Sequence, residues 1–321
     1  MKNKLKKIFL VTISIFSSLF FLWLAFRKVQ WADFFQIAKH ANIWLILLAI
    51  IIFVISYLLR TLRWQALTRS QNRVKLLPAF DSLVSGYAIN NVLPLRAGEV
   101  FRLFITKLKT GIPKSTVLGT LIIERMWDAL ALLLLAVISL LSTQPKNVPT
   151  NVINLSAIIF GIITLLIIIL IIFDKSILIL LKRVKVSDQI IEKITRLVGS
   201  FKNLQNWPVL LLSVLLSVLV WIIEATTYYI VASSLAMDIS FVQMLLVMVI
   251  LNFGILIPSS PGYVGTFEYF TILGMSIFGI NRTDAASFAI ILHIAQFIPI
   301  TLYGGLVISK IGFSSIKNDN Q

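Results

Sequence analysis

The side chains of this chain that could do chemistry lie inside segments that are otherwise apolar. Arg96 and Glu99 form a first cluster, with Arg102 one helical turn beyond. Glu124, Arg125 and Asp128 form a second, and Glu224, Glu268 and the pair His293/Gln296 follow. An ionisable group at the centre of a membrane helix costs at least about 2.5–3.5 kcal/mol, so each needs a partner or a purpose. On a half-helix starting after Pro94, positions 96 and 99 are i, i+3 and can pair. Glu124 and Asp128 are i, i+4 and share a helix face, while Arg125 projects about 100° away from Glu124. Two neighbouring carboxylates repel, and Arg96 is the expected cation between them. His293 and Gln296 share a face in the same way.

Three chemistries fit this pattern. Embedded charges can be ion pairs that fix helix packing. They can line a wet cavity for an anionic head group, with Arg96 and the N-termini of broken helices as its positive end. They can carry protons, since histidine changes charge near neutral pH. Glu124 and Asp128 could instead receive a cationic group. The candidate substrate-binding set is Asn90, Asn91, Arg96, Glu99, Arg102, Glu124, Arg125, Asp128, Glu224, Glu268 and His293. Enzyme signatures are missing: the sequence has no GxSxG, HExxH, Walker or GxGxxG pattern. With no cysteine and only His40 and His293 as histidines, neither a thiolate nor a histidine metal cluster is expected. The expectation is therefore a non-enzyme without cofactor or metal.

The elements that must position these groups follow from composition. Of 321 residues, 58% are hydrophobic and 13% charged, with a mean hydropathy of +0.95. A soluble domain has about a quarter of its residues charged, so an ordinary soluble protein is excluded, as is a disordered chain. Six runs reach the length of about 20 residues that a spanning helix needs: Ile8–Phe26, Ile43–Leu59, Ser115–Leu141, Val152–Phe173, Trp207–Leu235 and Ala285–Ile308. The first follows a basic start and has no short apolar core with a cleavage site, which predicts an uncleaved anchor. Two further apolar regions, Pro78–Phe104 and Ser240–Ile280, are broken at Asn90–Glu99 and Pro258–Gly265. Proline ends a helix, and freed backbone groups at membrane depth survive only inside protein or beside a wet cavity. Each break therefore predicts a re-entrant hairpin of two half-helices, with two ordinary spans as the alternative. The linkers Trp31–Asn42 and Ser176–Asn206 read as interfacial helices, the first presenting Trp31, Phe34, Phe35 and Ala38 on one face. The order span, linker, span, hairpin, span occurs twice, which predicts one all-α transmembrane domain, 1–321, built of inverted repeats 1–150 and 151–321.

Charge gives the orientation. The formal net charge is +16, and with the N-terminus inside, 22 of the 29 basic residues fall on the cytoplasmic side against 5 outside. This is the positive-inside pattern, and it predicts a plasma-membrane protein with both termini cytoplasmic. The basic residues are scattered over short loops without a nucleic-acid motif, so anionic lipid rather than nucleic acid is the expected contact.

Three stretches resemble the lysylphosphatidylglycerol synthase transmembrane-region family. They are Asn90–Arg102 (N-x-x-L-P-x-R-x-G-E-x-x-R), Glu124–Asp128 (E-R-x-x-D) and Pro258–Glu268 (P-x-x-P-G-x-x-G-x-x-E), joined by Arg60-Thr61-Leu62-Arg63-Trp64. The family includes the flippase half of the multiple peptide resistance factor. The resemblance implies a polytopic helical domain that moves or binds lipids or lipid-linked sugars. The chain stops at Gln321, so no soluble aminoacyl-transferase domain is expected. A flippase for anionic, aminoacylated or polyprenyl-linked lipids is the leading expectation. The alternatives are a scaffold for an envelope glycosyltransferase or lipid synthase, and an integral-membrane lipid-modifying enzyme.

Overall fold

In hydrocarbon a backbone must satisfy its own hydrogen bonds, and long apolar runs do so as helices. A computed structural model describes residues 2–69, 74–94, 96–146 and 206–319, with scattered positions between 148 and 204. Among the described residues every regular element is helical. Helix α1 (Lys2–Phe26) bends by 85° into α2 (Trp31–Lys39). Helix α3 (Ile43–Thr68) starts at Asn42, whose side chain accepts from the Trp44 amide at 3.0 Å. A first hairpin pairs α4 (Leu76–Val92) with α5 (Ala97–Thr110), and α6 (Lys114–Thr143) follows. After the intervening segment come α7 (Trp207–Ser234) and a second hairpin of α8 (Phe241–Gly254) and α9 (Thr266–Ile277). A short 3-10 turn, Pro261–Tyr263, joins the two arms, and α10 (Arg282–Asp319) ends the series.

Helices α3, α6, α7 and α10 are each long and apolar enough to cross a membrane, and the bent α1–α2 pair makes a fifth crossing if counted as one. The sixth expected span, Val152–Phe173, and the basic linker Ser176–Asn206 lie largely outside the described residues. The hairpin arms have 17, 14, 14 and 12 residues. At 1.5 Å per residue they reach about 18–26 Å, short of a hydrocarbon core of about 30 Å.

One boundary differs from expectation in a way that matters. The second span was expected to stop at Leu59, leaving Arg60 and Arg63 in a cytoplasmic loop. Helix α3 instead runs to Thr68 and buries both, with 5% and 1% of their surface exposed. Residues 60–68 contain only residues a helix tolerates, and Arg, Leu, Gln and Ala are among its better formers.

Helix α3 packs along α7. Helix α4 rests on α10 and α8 on α6, while α9 lies between α10 and α1. Gly98 lets the arms of the first hairpin touch, since a Cβ there would overlap the Gly86 carbonyl. The largest apolar core gathers Tyr228, Met244, Met248, Leu251, Phe267 and Phe288 around the second hairpin. In α2, Phe34 turns inward while Trp31 and Phe35 stay exposed, as an interfacial helix requires.

Candidate functional site

Each hairpin turn is made by a residue in an expensive conformation. Arg96 has φ 53° and ψ 36°, and Tyr263 has φ 61°. A side chain in the left-handed region costs roughly 1–2 kcal/mol, and such strain tends to gather at functional sites. Both residues line one cavity of about 290 Å³ between the two hairpins. Asn90, Asn91, Glu99, Arg125, Asp128, Glu224 and His293 line it too, so the structure brings most of the sequence-derived set together. Aromatic rings complete the wall, among them Tyr57, Tyr87, Trp221 and Phe253. A second space of about 190 Å³ lies between the hairpin turns, bounded by Pro94, Pro258, Ser259 and Ser260 and again by Arg96 and Tyr263.

The polar side chains that shape the turns are themselves fixed. The Asn90 carbonyl oxygen accepts from the Gly98 amide at 2.7 Å, and Asn91 donates to Thr301 Oγ1 on α10 at 2.8 Å. In the second hairpin Glu268 accepts from the Gly265 amide at 2.6 Å, and Ser260 donates its amide to Ser18 Oγ on α1 at 2.7 Å. Gly262 and Gly265 have φ 69° and 93°, which glycine adopts at little cost.

The ion pairs differ from the sequence reading in three respects. Glu124 and Asp128 do not share a cation. Glu124 takes a two-pronged contact from Arg102, at 2.7 and 3.3 Å, while Asp128 is met by Arg63 at 2.6 Å and Arg125 at 3.5 Å. Arg96 is partner to neither carboxylate. It stands at the head of α5 and donates to the Ile255 carbonyl at 3.3 Å. Nor do the Arg96 and Glu99 side chains pair: the Glu99 amide donates to the Arg96 carbonyl at 3.1 Å, but the left-handed backbone at Arg96 takes its side chain off the helical face. Glu99 faces Arg125 at 3.2 Å instead. Arg102 and Glu124 are buried together and do not line the cavity, and Glu268 stands behind its wall.

Arg60 and Arg63, quoted in the family resemblance, are absent from the candidate set read from the sequence. Arg60 binds Glu224 at 2.5 Å and sits over the Trp221 ring at 4.8 Å. Arg63 also donates to Ser217 at 2.7 Å, and Trp221 donates to Asp128 at 3.2 Å. These contacts weld α3 to α6 and α7. The signal was present: Tyr57, Arg60 and Trp64 recur at i, i+3 and i, i+7 on one face that continues an apolar run.

The cavity is therefore a ring of paired charges with one exception. Arg60 and Arg125 each face a carboxylate. Among the described residues, Arg96 is the cavity arginine that faces none, and it sits where the two hairpins meet.

Comparison with known proteins agrees with this architecture. Residues 9–304 match the family described as the lysylphosphatidylglycerol synthase TM region. A UPF0104 membrane protein of Pyrococcus horikoshii is 26% identical, over 95% of this chain and 97% of its own length. One from Methanocaldococcus jannaschii is 27% identical, over 68% of this chain and 92% of its own. A third, from Methanothermobacter thermautotrophicus, is 26% identical over 87% and 84%. No solved structure gives a significant match. With the family's pattern matched over nearly the whole of this chain, the chain belongs to the lysylphosphatidylglycerol synthase transmembrane-region family.

Proposed function

We propose that this protein moves a lipid or lipid-linked sugar across the plasma membrane, its head group passing through the cavity between the two hairpins. The observation that carries this reading is Arg96: a strained arginine without a carboxylate partner, at the junction of two half-helix turns, lining both spaces. A cavity of about 290 Å³ lies near the lower end of small-molecule sites, roughly 300–1,000 Å³. That suits a head group with its chains left in the bilayer. The guanidinium supplies two parallel donors for a phosphate. The paired charges around it let the wall stay polar without attracting every ion.

On this reading the halves 1–150 and 151–321 are inverted repeats. The support is the exchanged packing of α4 on α10 and α8 on α6, together with hairpins that occupy the same place in each half. The uneven distribution of basic residues, with the buried Arg60, Arg63 and Arg102 set aside, supports cytoplasmic termini. The family's name suggests an anionic or aminoacylated lipid as cargo.

The test is reconstitution of the purified protein in vesicles with nitrobenzoxadiazole-labelled phosphatidylglycerol, reading lipid movement by dithionite quenching. Wild type should move label between leaflets, and Arg96→Ala should reduce the rate at least about tenfold, a loss of about 1.4 kcal/mol. Immobile label with every lipid class, together with a stoichiometric enzyme that co-purifies, would establish the scaffold reading instead.

A further inference from the structure

One polar pair stands apart from the arginine network. His293 on α10 places Nδ1 2.6 Å from Glu268 Oε1 and Nε2 2.8 Å from the Gly262 carbonyl oxygen. A carbonyl oxygen only accepts, and so does an ionised carboxylate. Glu268 Oε2 is already occupied by the Gly265 amide at 2.6 Å. With Glu268 ionised, both ring nitrogens need a proton on their contact, whereas a neutral imidazole has one. The ring is held in place by Phe267, stacked at 4.1 Å, with Phe297 edge-on at 5.9 Å.

We propose that the Glu268–His293 pair is a proton-binding site, and that movement of an anionic lipid through the cavity is coupled to that proton. The site stands on the geometry just given, and the coupling rests on the transport reading above. The step is a simple proton loss. The Nδ1–H bond of the imidazolium breaks, its electron pair stays on nitrogen, and the proton passes to water in the cavity. The pair goes from net zero to one negative charge. The neutral ring then has a single N–H for two acceptors, so lone pairs oppose each other either at Glu268 or at Gly262. One of the two links between α10 and the second turn is lost.

That turn is part of the cavity wall. It presents Tyr263, and a Cβ on Gly262 would lie 3.3 Å from the Asn91 carbonyl of the first hairpin. The charged groups that line the same cavity as His293 are Arg60 on α3, Arg96 and Glu99 at the head of α5, Arg125 and Asp128 on α6, and Glu224 on α7. Tyr57, Tyr87, Tyr228 and Tyr263 are the further titratable side chains there. All the charged groups but Arg96 are bound in ion pairs. Arg96 alone would feel the new negative charge as a competitor for an anionic head group. Proton and anion thus favour each other's binding, and by linkage the two should travel together.

Two measurements test this separately. In vesicles of phosphatidylcholine and phosphatidylglycerol with a trace of labelled phosphatidylglycerol, a gradient of about one pH unit should shift the label toward the alkaline leaflet. The shift should reach about tenfold for one proton per lipid, and a protonophore should abolish it. Glu268→Gln is the diagnostic variant. Its amide oxygen still accepts from Gly265 and its amide nitrogen donates to Nδ1, so the turn stays pinned with no proton to release. It should show no shift. Label that moves in wild type but ignores the gradient overturns the coupling and leaves the transport reading standing. If no label moves at all, the transport reading fails, and the site is decided by the second measurement. The chain has only two histidines, so ¹⁵N-histidine spectra in lipid nanodiscs, assigned with His40→Gln, report His293 directly. At about pH 7 both ring nitrogens should carry a proton, and Glu268→Gln should give a neutral ring. A neutral His293 beside an ionised Glu268 in the wild-type protein overturns the proton site.

Discussion

In the first hairpin the chain reverses at Arg96, and the turn is locked by a neutral amide, Asn90 to Gly98, and anchored to α6 by the buried pair Arg102–Glu124. In the second it reverses at Tyr263, and the lock is ionisable, Glu268 with His293. Both turns hold a strained non-glycine residue on the cavity wall, but only the second is held by a carboxylate that meets an imidazole. The contrast teaches that embedded charge serves two ends here. Around α5 it fixes a half-helix in place, and around α9, on the proton-site proposal, it makes the hold adjustable. The arginine that faces no carboxylate belongs to the first hairpin.

The comparison can be broken at several points. Arg102→Ala should have the largest effect on stability. It leaves Glu124 charged and buried without its partner, at a cost of about 3–5 kcal/mol. Thermal unfolding in detergent should fall sharply, and the double variant Arg102→Met/Glu124→Leu should recover much of the loss. Tolerance of the single variant would mean that α5 is not anchored as described. Gly98→Ala comes next. A methyl group forced against the Gly86 carbonyl should cost about 1–3 kcal/mol, read in the same assay. Asn90→Ala removes the acceptor for the Gly98 amide and should cost about 1 kcal/mol, while Asn90→Asp, which still accepts, should cost less. Smallest in stability and sharpest in meaning is Arg96→Gly. It relieves the left-handed strain and should leave stability unchanged or raised by less than about 1 kcal/mol. Lipid movement should nonetheless drop as far as in Arg96→Ala. A variant that is destabilised but still moves lipid would show that Arg96 serves the turn and not the cargo.

Much of the fold was legible in the residues. Hydropathy gave the long helices, because a chain in hydrocarbon has few ways to satisfy its backbone. Pro94, Pro258, Pro261 and the neighbouring glycines gave the two breaks, because proline removes a donor and clashes with the preceding turn. The resemblance placed the chain in its family, through residues that lie at those same breaks. Partner choice was less legible. The pairing of Glu124 and Asp128 through Arg96 was a reasonable expectation from i, i+4 spacing. It failed because their i, i+4 neighbourhood does not prevent each from turning to a different helix. Arg60 and Arg63 looked like loop residues because an apolar run ends at Leu59. The helix does not end there, and Glu224 and Asp128 offer charges that make burial of two arginines tolerable.

By itself, then, the sequence determined a helical membrane protein with two interrupted hairpins and a net positive charge. These properties are local: they depend on side-chain transfer to hydrocarbon, on proline and glycine, and on the balance of charged residues. Only the tertiary structure decided which charges cancel and which remain. Arg102 meets Glu124 across 22 residues, Arg63 meets Asp128 across 65 and Arg60 meets Glu224 across 164. Such pairings follow from which helices lie side by side, since an ion pair falls off over a few ångströms and spacing along one helix says nothing about its neighbour. What is left after they form is Arg96 facing a cavity, and a histidine set between two acceptors.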